Sequence, residues 1–249
     1  MYSTDKELDG GGGATNMTAA PARLPDEHVL DDPIGASLNG FHAGFARVRG
    51  RVRRFEPDVS KFMSIPPDPT DDDWASAASL AVSAPAILFS AERYTVPEYW
   101  PAVNTLDLVQ MVAQHVSGVG DPDAVDLGDA DVPEVLALTS ATKPGPFEIR
   151  TIELGTYVGI RDRGELVAMA GERMHVPGWT EISAICTAHS HRGRGLAVRL
   201  IHTLVGQIEA RGEEAFLHAA ITNTSAIDLY DRLGFRERRR LVATGLSAI

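Results

Sequence analysis

The sequence predicts an α/β fold, on three observations in its second half. Strand-like runs, "TYVGIRD", "ELVAMAGERMHV" and "TEISAICT", follow one another between Thr156 and Thr187. An apolar stripe at Leu196, Leu200, Ile201, Leu204, Val205 and Ile208 then recurs at the spacing of an amphipathic helix. A strand "EAFLHAA", a short helix "TSAIDLYDRL" and a last strand "RERRRLVAT" complete the alternation.

Along the chain, residues 1–32 carry "GGGG" and then "TNMTAAPARLPDE", rich in Gly, Ala, Pro and polar residues without periodicity, and are expected to be a disordered tail. Residues 33–122 form an expected N-terminal subdomain: "RVRGRVRRF" and "PAILFSA" as strands, "DDDWASAASLAVS" as an acid-capped helix, and no site motif. The acidic, turn-rich "GDPDAVDLGDADVP" marks the boundary to a second domain, 123–249. There Asp131, with Pro133 and Glu134 behind it, is expected to cap a helix through "EVLALTSAT". "TKPGPF" is a loop, and Phe147 to Leu154 is expected to be a short helix. The turn at Asp162-Arg163-Gly164 signals a hairpin, and Gly212 and Gly234 fit helix stops.

Composition narrows the function. Of 249 residues, 44% are hydrophobic and the net charge is −11, so general nucleic-acid binding, which relies on many Lys and Arg, is not expected. The acidic balance is compatible with a cationic substrate such as an amine. No apolar run reaches the length of a membrane span, and the N-terminus lacks the order of a secretory signal, so the expected compartment is the cytoplasm. The single cysteine, Cys186, excludes an internal disulfide and a multi-Cys zinc site, and no metal is expected.

Positive charge is nevertheless concentrated in "HSHRGRGLAVRL". From Ile182 to Ile208 the chain has no Asp or Glu, while Arg192, Arg194 and Arg199 fall inside that window. A strand, a turn Arg192-Gly193-Arg194-Gly195-Leu196-Ala197 and a helix make an anion site. The first N–H groups of a helix lack intrahelical partners, and glycines allow close approach of phosphate oxygens. A P-loop would need G-x-x-x-x-G-K-[ST], which is absent. A dinucleotide fingerprint would need a third glycine and a later acid; the turn lacks the first, and "EAFLHAA" has His218 where the acid would stand.

These residues resemble the GNAT superfamily of acyl-CoA-dependent N-acetyltransferases. Its pyrophosphate loop, R/Q-x-x-G-x-G/A, is matched by Arg192, Gly195 and Ala197, and the order strand, loop, long helix, strand, Asn223, "AIDLYDRLGF" is similar to the family's closing half. The resemblance covers about Asp129 to Thr244 and looks closest to the glycine N-acyltransferase-like branch, in which an N-terminal half can be a diverged second copy of the fold. It implies a mixed central sheet flanked by helices, a catalytic domain at 123–249, and a degenerate GNAT-like half at 33–122.

The resemblance also implies acetyl-CoA as co-substrate and direct attack by a primary amine of a small molecule or amino acid. A protein N-terminus or lysine is the alternative acceptor, and a non-catalytic acyl-CoA-binding module the alternative class. It leaves room for a homodimer and gives no role to nucleic acid or membrane. The diphosphate would sit on Arg192, Gly193, Arg194, Gly195, Leu196 and Ala197. Backbone groups of Ile185, Cys186 and Thr187 would hold the pantetheine arm, with Cys186 itself a small buried strand residue. Asn223 would bond the arm, cap the following helix, or do both. Tyr230 is the expected acid, because a phenol stays protonated at neutral pH. Glu181 is the expected base, with His175 as runner-up. The loop Thr142 to Phe147 and the turn His175 to Trp179 would line the acceptor side, with Phe147 and Trp179 as its apolar walls.

Overall fold

The computed structural model describes residues 25–82, 84–101 and 103–247. Along them run α1 (Pro33–Asn39), β1 (Ala46–Arg49), β2 (Val52–Phe55), β3 (Met63–Ser64), α2 (Asp71–Ala81), β4 (Ala86–Ser90), β5 (Val103–Ala113) and β6 (Ala124–Asp126). Then follow α3 (Val132–Thr142), β7 (Tyr157–Asp162), β8 (Glu165–Val176), β9 (Trp179–Thr187), α4 (Leu196–Ala210), β10 (Glu214–Ala220), α5 (Thr224–Leu233) and β11 (Phe235–Leu246). Eight strands form one sheet in the order β4, β11, β5, β10, β9, β8, β7, β6; β1, β2 and β3 form a small second sheet. In the large sheet every neighbouring pair is antiparallel except β9 and β10.

The alternation of side chains on β10 shows how the layers are assigned. Ala215, Leu217 and Ala219 face the cluster built on α4, whereas Phe216 faces the opposite cluster with Leu30, Ile34 and Leu38. Helix α4 buries the stripe Leu196, Leu200, Ile201, Leu204, Val205 and Ile208 that its spacing predicts. On the other side of the sheet, α3 packs Val135 and Leu138 against Tyr157, Met169 and Cys186. The β7–β8 hairpin turns through Arg163 and Gly164, both at positive φ (52° and 90°), the twist a two-residue turn needs. Gly234, at φ 101°, ends α5.

Four expectations change. Residues 1–24 of the expected tail lie outside the described residues, but 25–32 are ordered: Glu27–Asp31 is a 3-10 helix whose Leu30 is buried against Phe216. Charge as well as apolar area holds it, because Glu27 pairs with Arg236 and Arg238, and Asp31 with Arg238 and Arg239. Asp131 precedes α3 without capping it by its side chain; Arg161 takes its Oδ1 at 2.5 Å and the Gly128 N–H takes its Oδ2 at 2.9 Å. The helix expected from Phe147 shrinks to the 3-10 turn Thr151–Leu154, since the Thr151 hydroxyl is bonded to the Glu148 N–H and to the Val59 carbonyl. Finally, the boundary expected near residue 122 falls between β5 and β6, and strands from its two sides interleave: β5 lies between β10 and β11. The acid-capped helix forms as expected, with Thr70 and Asp73 closing a capping box on α2.

Candidate active site

The parallel pair at the centre of the sheet is incomplete. β9 and β10 are in register only at Trp179↔Glu214, Thr180↔Ala215 and Glu181↔Phe216. Beyond Glu181 the strands separate, and a cavity of about 960 Å³ opens between them, lined by Ile182 to Thr187 on one side and by His218, Ala219 and Ala220 on the other. The opposite edge of β9 stays paired with β8, where the register slips between Met169 and Gly171. The slip places Ala184 at φ 53°, a left-handed conformation costing an L-residue about 1–2 kcal/mol, and bends the strand away from β10. Ile185, Cys186 and Thr187 thus line the cavity with the edge of β9 that no strand occupies. Cys186 itself packs beside Leu138 and Met169, and burial pushes its thiol up, which suits a filler.

The glycine-rich turn closes one end. After the 3-10 turn His189–His191, Arg192 is extended, and Gly193 and Gly195 take φ 76° and 74° before α4 begins at Leu196. The first intrahelical bond of this end runs from the Arg199 N–H to the Gly195 carbonyl at 3.1 Å, leaving the N–H groups of Leu196, Ala197 and Val198 for a ligand. A Cβ placed on Gly193 or Gly195 would meet nothing within 4 Å, so the space before the turn is open. Arg192, Gly193, Gly195, Leu196 and Ala197 all line the cavity; Arg194 does not, because it turns toward Asp162, 4.0 Å away.

On the facing side, Asn223 lines the cavity and caps α5, accepting the Ala226 N–H at 3.3 Å, so both expected roles remain open to it. Tyr230 lines the cavity from α5 and packs edge-on against Phe235 at 6.1 Å. Burial pushes its phenol up to about 12.

Glu181 departs from its expected place. It is fully buried and outside the cavity lining, and its carboxylate is already saturated. Arg173 donates Nε–H to Oε2 at 2.8 Å and Nη2–H to Oε1 at 2.5 Å, and Nδ1 of His218 bonds Oε1 at 2.7 Å. Burial alone would raise this carboxyl, but the Arg173 charge and the bonds from His218 and Arg173 outweigh it and bring it to about 2. A carboxylate so held is a poor proton acceptor at neutral pH. His175 is also away from the cavity; it is buried, bonded to Thr180 at 3.2 Å and stacked on Phe41 at 4.4 Å.

The expected apolar walls do not line the cavity: Trp179 is a core residue and Phe147 is partly buried against the core. Trp179 is buried with its indole N–H donating to the Asp26 carbonyl, and Phe147 packs edge-on against Tyr157. Of the segments proposed for the acceptor side, only Thr142 to Pro146 lines the cavity. The walls come instead from Phe62, from Ile87 and Phe89 of β4, and from Leu106 and Leu108 of β5. Period-2 alternation, in "AILFS" for Ile87 and Phe89 and in "TLDLV" for Leu106 and Leu108, is the sequence signal for four of them.

Polarity completes the picture. Among the described residues, none that lines the cavity is Asp or Glu, while Lys143, Arg173, Arg192 and Arg232 all do. The cavity suits anions, contrary to the cationic ligand that the overall charge suggests. Its two histidines have both ring nitrogens engaged: His191 with Ser190 and Asp162, His218 with Glu181 and with the Gln110 amide at 3.0 Å. Among the described residues, no helix is long and apolar enough to cross a membrane.

Known proteins share this architecture. The family model of FR47-like proteins matches residues 157–243. A protein from Novosphingobium aromaticivorans DSM 12444, assigned to the GNAT family of acetyltransferases, is 38% identical; its crystal structure superposes with a TM-score of 0.80 over 89% of this chain and 99% of that one. A GCN5-related N-acetyltransferase from Kribbella flavida shares the fold at 19% identity, with a TM-score of 0.60 over 88% of this chain and 95% of that one. The N-alpha-acetyltransferase MAK3 of Arabidopsis thaliana is 27% identical over 126 residues, 46% of this chain and 65% of that protein.

Proposed function

This chain belongs to the GNAT family of acetyltransferases, and from that premise we propose that it transfers an acetyl group from acetyl-CoA to the primary amine of a small molecule or amino acid by direct attack. The observation that carries this reading is the separation of β9 from β10 beyond Glu181, with the Gly193–Gly195 turn at one end of the resulting cavity.

When bound, acetyl-CoA supplies an activated thioester carbonyl and a thiol leaving group. The residues present fit it. The open N–H groups of Leu196, Ala197 and Val198, with Arg192 beside them, would hold the diphosphate at the positive end of α4. The vacant edge of β9 from Ile182 to Thr187 would accept the pantetheine amides as an added strand, with Asn223 opposite. Tyr230, kept protonated by burial, would donate its proton to the departing sulfur. Among the described residues no carboxylate lines the cavity and neither cavity histidine offers a free ring nitrogen, so the amine would attack as the neutral base after losing its ammonium proton to solvent, and the further proton shed by its nitrogen as the amide forms would restore the one that Tyr230 gives to sulfur. The phrases "SAICTAHSHRGRGLA" and "AIDLYDRLGF" support a position near the glycine N-acyltransferase-like branch.

Similarity to the N-alpha-acetyltransferase MAK3 favours a second reading, acetylation of a protein N-terminus. Thiol release from acetyl-CoA, followed across a panel of amines, amino acids and short peptides, decides between the two. Release with small amines supports the first reading, and release confined to peptides replaces it with the second. Binding of acetyl-CoA without release on any acceptor would mark a non-catalytic binder.

A further inference from the structure

Five side chains close a ring at the end of the cavity away from the glycine turn. The Arg173 guanidinium lies 4.6 Å from the Phe62 ring centroid, Phe62 meets Phe89 at 5.1 Å, and Phe89 meets His218 at 4.9 Å. Glu181 links His218 back to Arg173 at 2.7 and 2.5 Å. One half of the ring is thus aromatic and the other charged, and Phe62, Phe89, Arg173 and His218 all line the cavity.

Within this ring, Arg173 is under-used. Its side chain is 10% exposed, and a guanidinium presents five N–H donors. Glu181 takes Nε and one hydrogen of Nη2; among the described residues Nη1 has no hydrogen-bond partner. The Nη1/Nη2 edge therefore remains, with two parallel donors matched to the two oxygens of a carboxylate. Glu181 cannot turn to serve it, since it is held from both sides by Arg173 and His218. No other acid lines the cavity among the described residues, so any anion on this edge must arrive with a ligand. A purely cationic acceptor, such as a polyamine or a lysine side chain, finds no counter-charge there.

We propose that Arg173 anchors the carboxylate of the acceptor, and that the acceptor is a free amino acid whose apolar side chain packs on Phe62, Ile87 and Phe89. The proposal rests on the acetyl-transfer reading above, which it narrows to one substrate class. The carboxylate occupies the free guanidinium edge, the side chain covers the aromatic half of the ring, and the amine is left to point along the cavity toward the thioester.

Binding tests this without relying on turnover. Full-length protein saturated with CoA is titrated calorimetrically with N-acetyl-L-phenylalanine and, separately, with its amide, a compound of the same shape in which a neutral NH2 donor replaces one carboxylate oxygen. The acid is expected to bind at least about tenfold tighter, the equivalent of about 1.4 kcal/mol. Arg173→Lys is expected to abolish that preference while CoA affinity is kept. Should that variant fail to fold, Arg173→Met combined with Glu181→Gln removes the pair without stranding a buried charge, and is expected to give the same result. Equal affinity for acid and amide in the wild type, or binding of neither, overturns the proposal whatever the variants do. Acetyl transfer to other amines but to no amino acid would likewise overturn it, whereas a clear acid preference with no acetyl transfer to any amine, amino acid or peptide would leave the carboxylate anchor standing and remove the acetyl-transfer reading instead.

Discussion

Nδ1 of His218 and Oε1 of Glu181 are 2.7 Å apart, and the same carboxylate carries the two-pronged grip of Arg173, so one buried acid fixes two side chains that face the cavity. Glu181→Gln removes the charge that both rely on. Losing one partner of a buried pair costs about 3–5 kcal/mol, and thermal or urea denaturation at neutral pH should show a loss of that order. The carboxyl titrates at about 2, below its ordinary 4.5, so its stabilisation is complete above about pH 4.5 and is lost as pH falls toward 2. The gap in stability between wild type and variant should therefore narrow across that window. A gap independent of pH would contradict the assignment.

Tyr230→Phe removes the phenol and keeps the packing against Phe235. Positioned acid catalysis is worth about 10²- to 10⁴-fold, so kcat should fall by at least about 100-fold. CoA affinity, measured by calorimetry, should change little. Equal turnover of the two proteins would reassign Tyr230 to the core.

Gly195→Ala asks an L-residue to hold φ 74° immediately before α4. The strain is about 1 kcal/mol and nothing crowds the new methyl, so the protein should fold with a slightly lower Tm. The cost to the cofactor should be larger, because the methyl stands where phosphate oxygens approach the turn; CoA affinity is expected to drop about tenfold or more. An unchanged CoA dissociation constant would place the diphosphate elsewhere.

With no free base lining the cavity among the described residues, kcat/KM should rise with pH at unit slope until the acceptor's own ammonium has ionised. Two acceptors with different amine pKa values make the measurement decisive. The rising limb should move with the amine. A limb that stays fixed when the amine is changed would assign the proton to a group of the protein instead.

What could be read from the sequence was local. The α4 stripe, the hairpin at Arg163-Gly164 and the αL glycines follow from patterns a few residues long, and all are found; the place of Ile185 to Thr187 on the cavity was implied by the family resemblance alone. Glu181 illustrates the opposite case. Its position on β9 was legible, but its role depends on Arg173 from β8 and His218 from β10, which only the sheet brings together. Phe62 and Phe89 escaped for the same reason: they come from the half without motifs, Phe89 reaching the cavity because β4 joins the large sheet and Phe62 because it bridges to Ile87 of β4. Trp179 and Phe147 looked like walls because aromatic residues beside a loop can serve either surface; burial placed Trp179 in the core, and Phe147 packs partly buried against Tyr157.

The place of β5 between β10 and β11 also sets the order in which the molecule can be made. β5 leaves the ribosome well before either neighbour exists, so it must wait with both edges unpaired until Phe216 and Phe235 arrive to flank it. Pairings this distant in sequence are slow to close, and a waiting strand with an apolar end, Leu108 to Ala113, is a template for association between chains. The large sheet is therefore completed only when the last strand, β11, pairs with β5 and β4 together. A fragment beginning at residue 123 would lack the strand between β10 and β11, leaving an unfilled slot in the sheet.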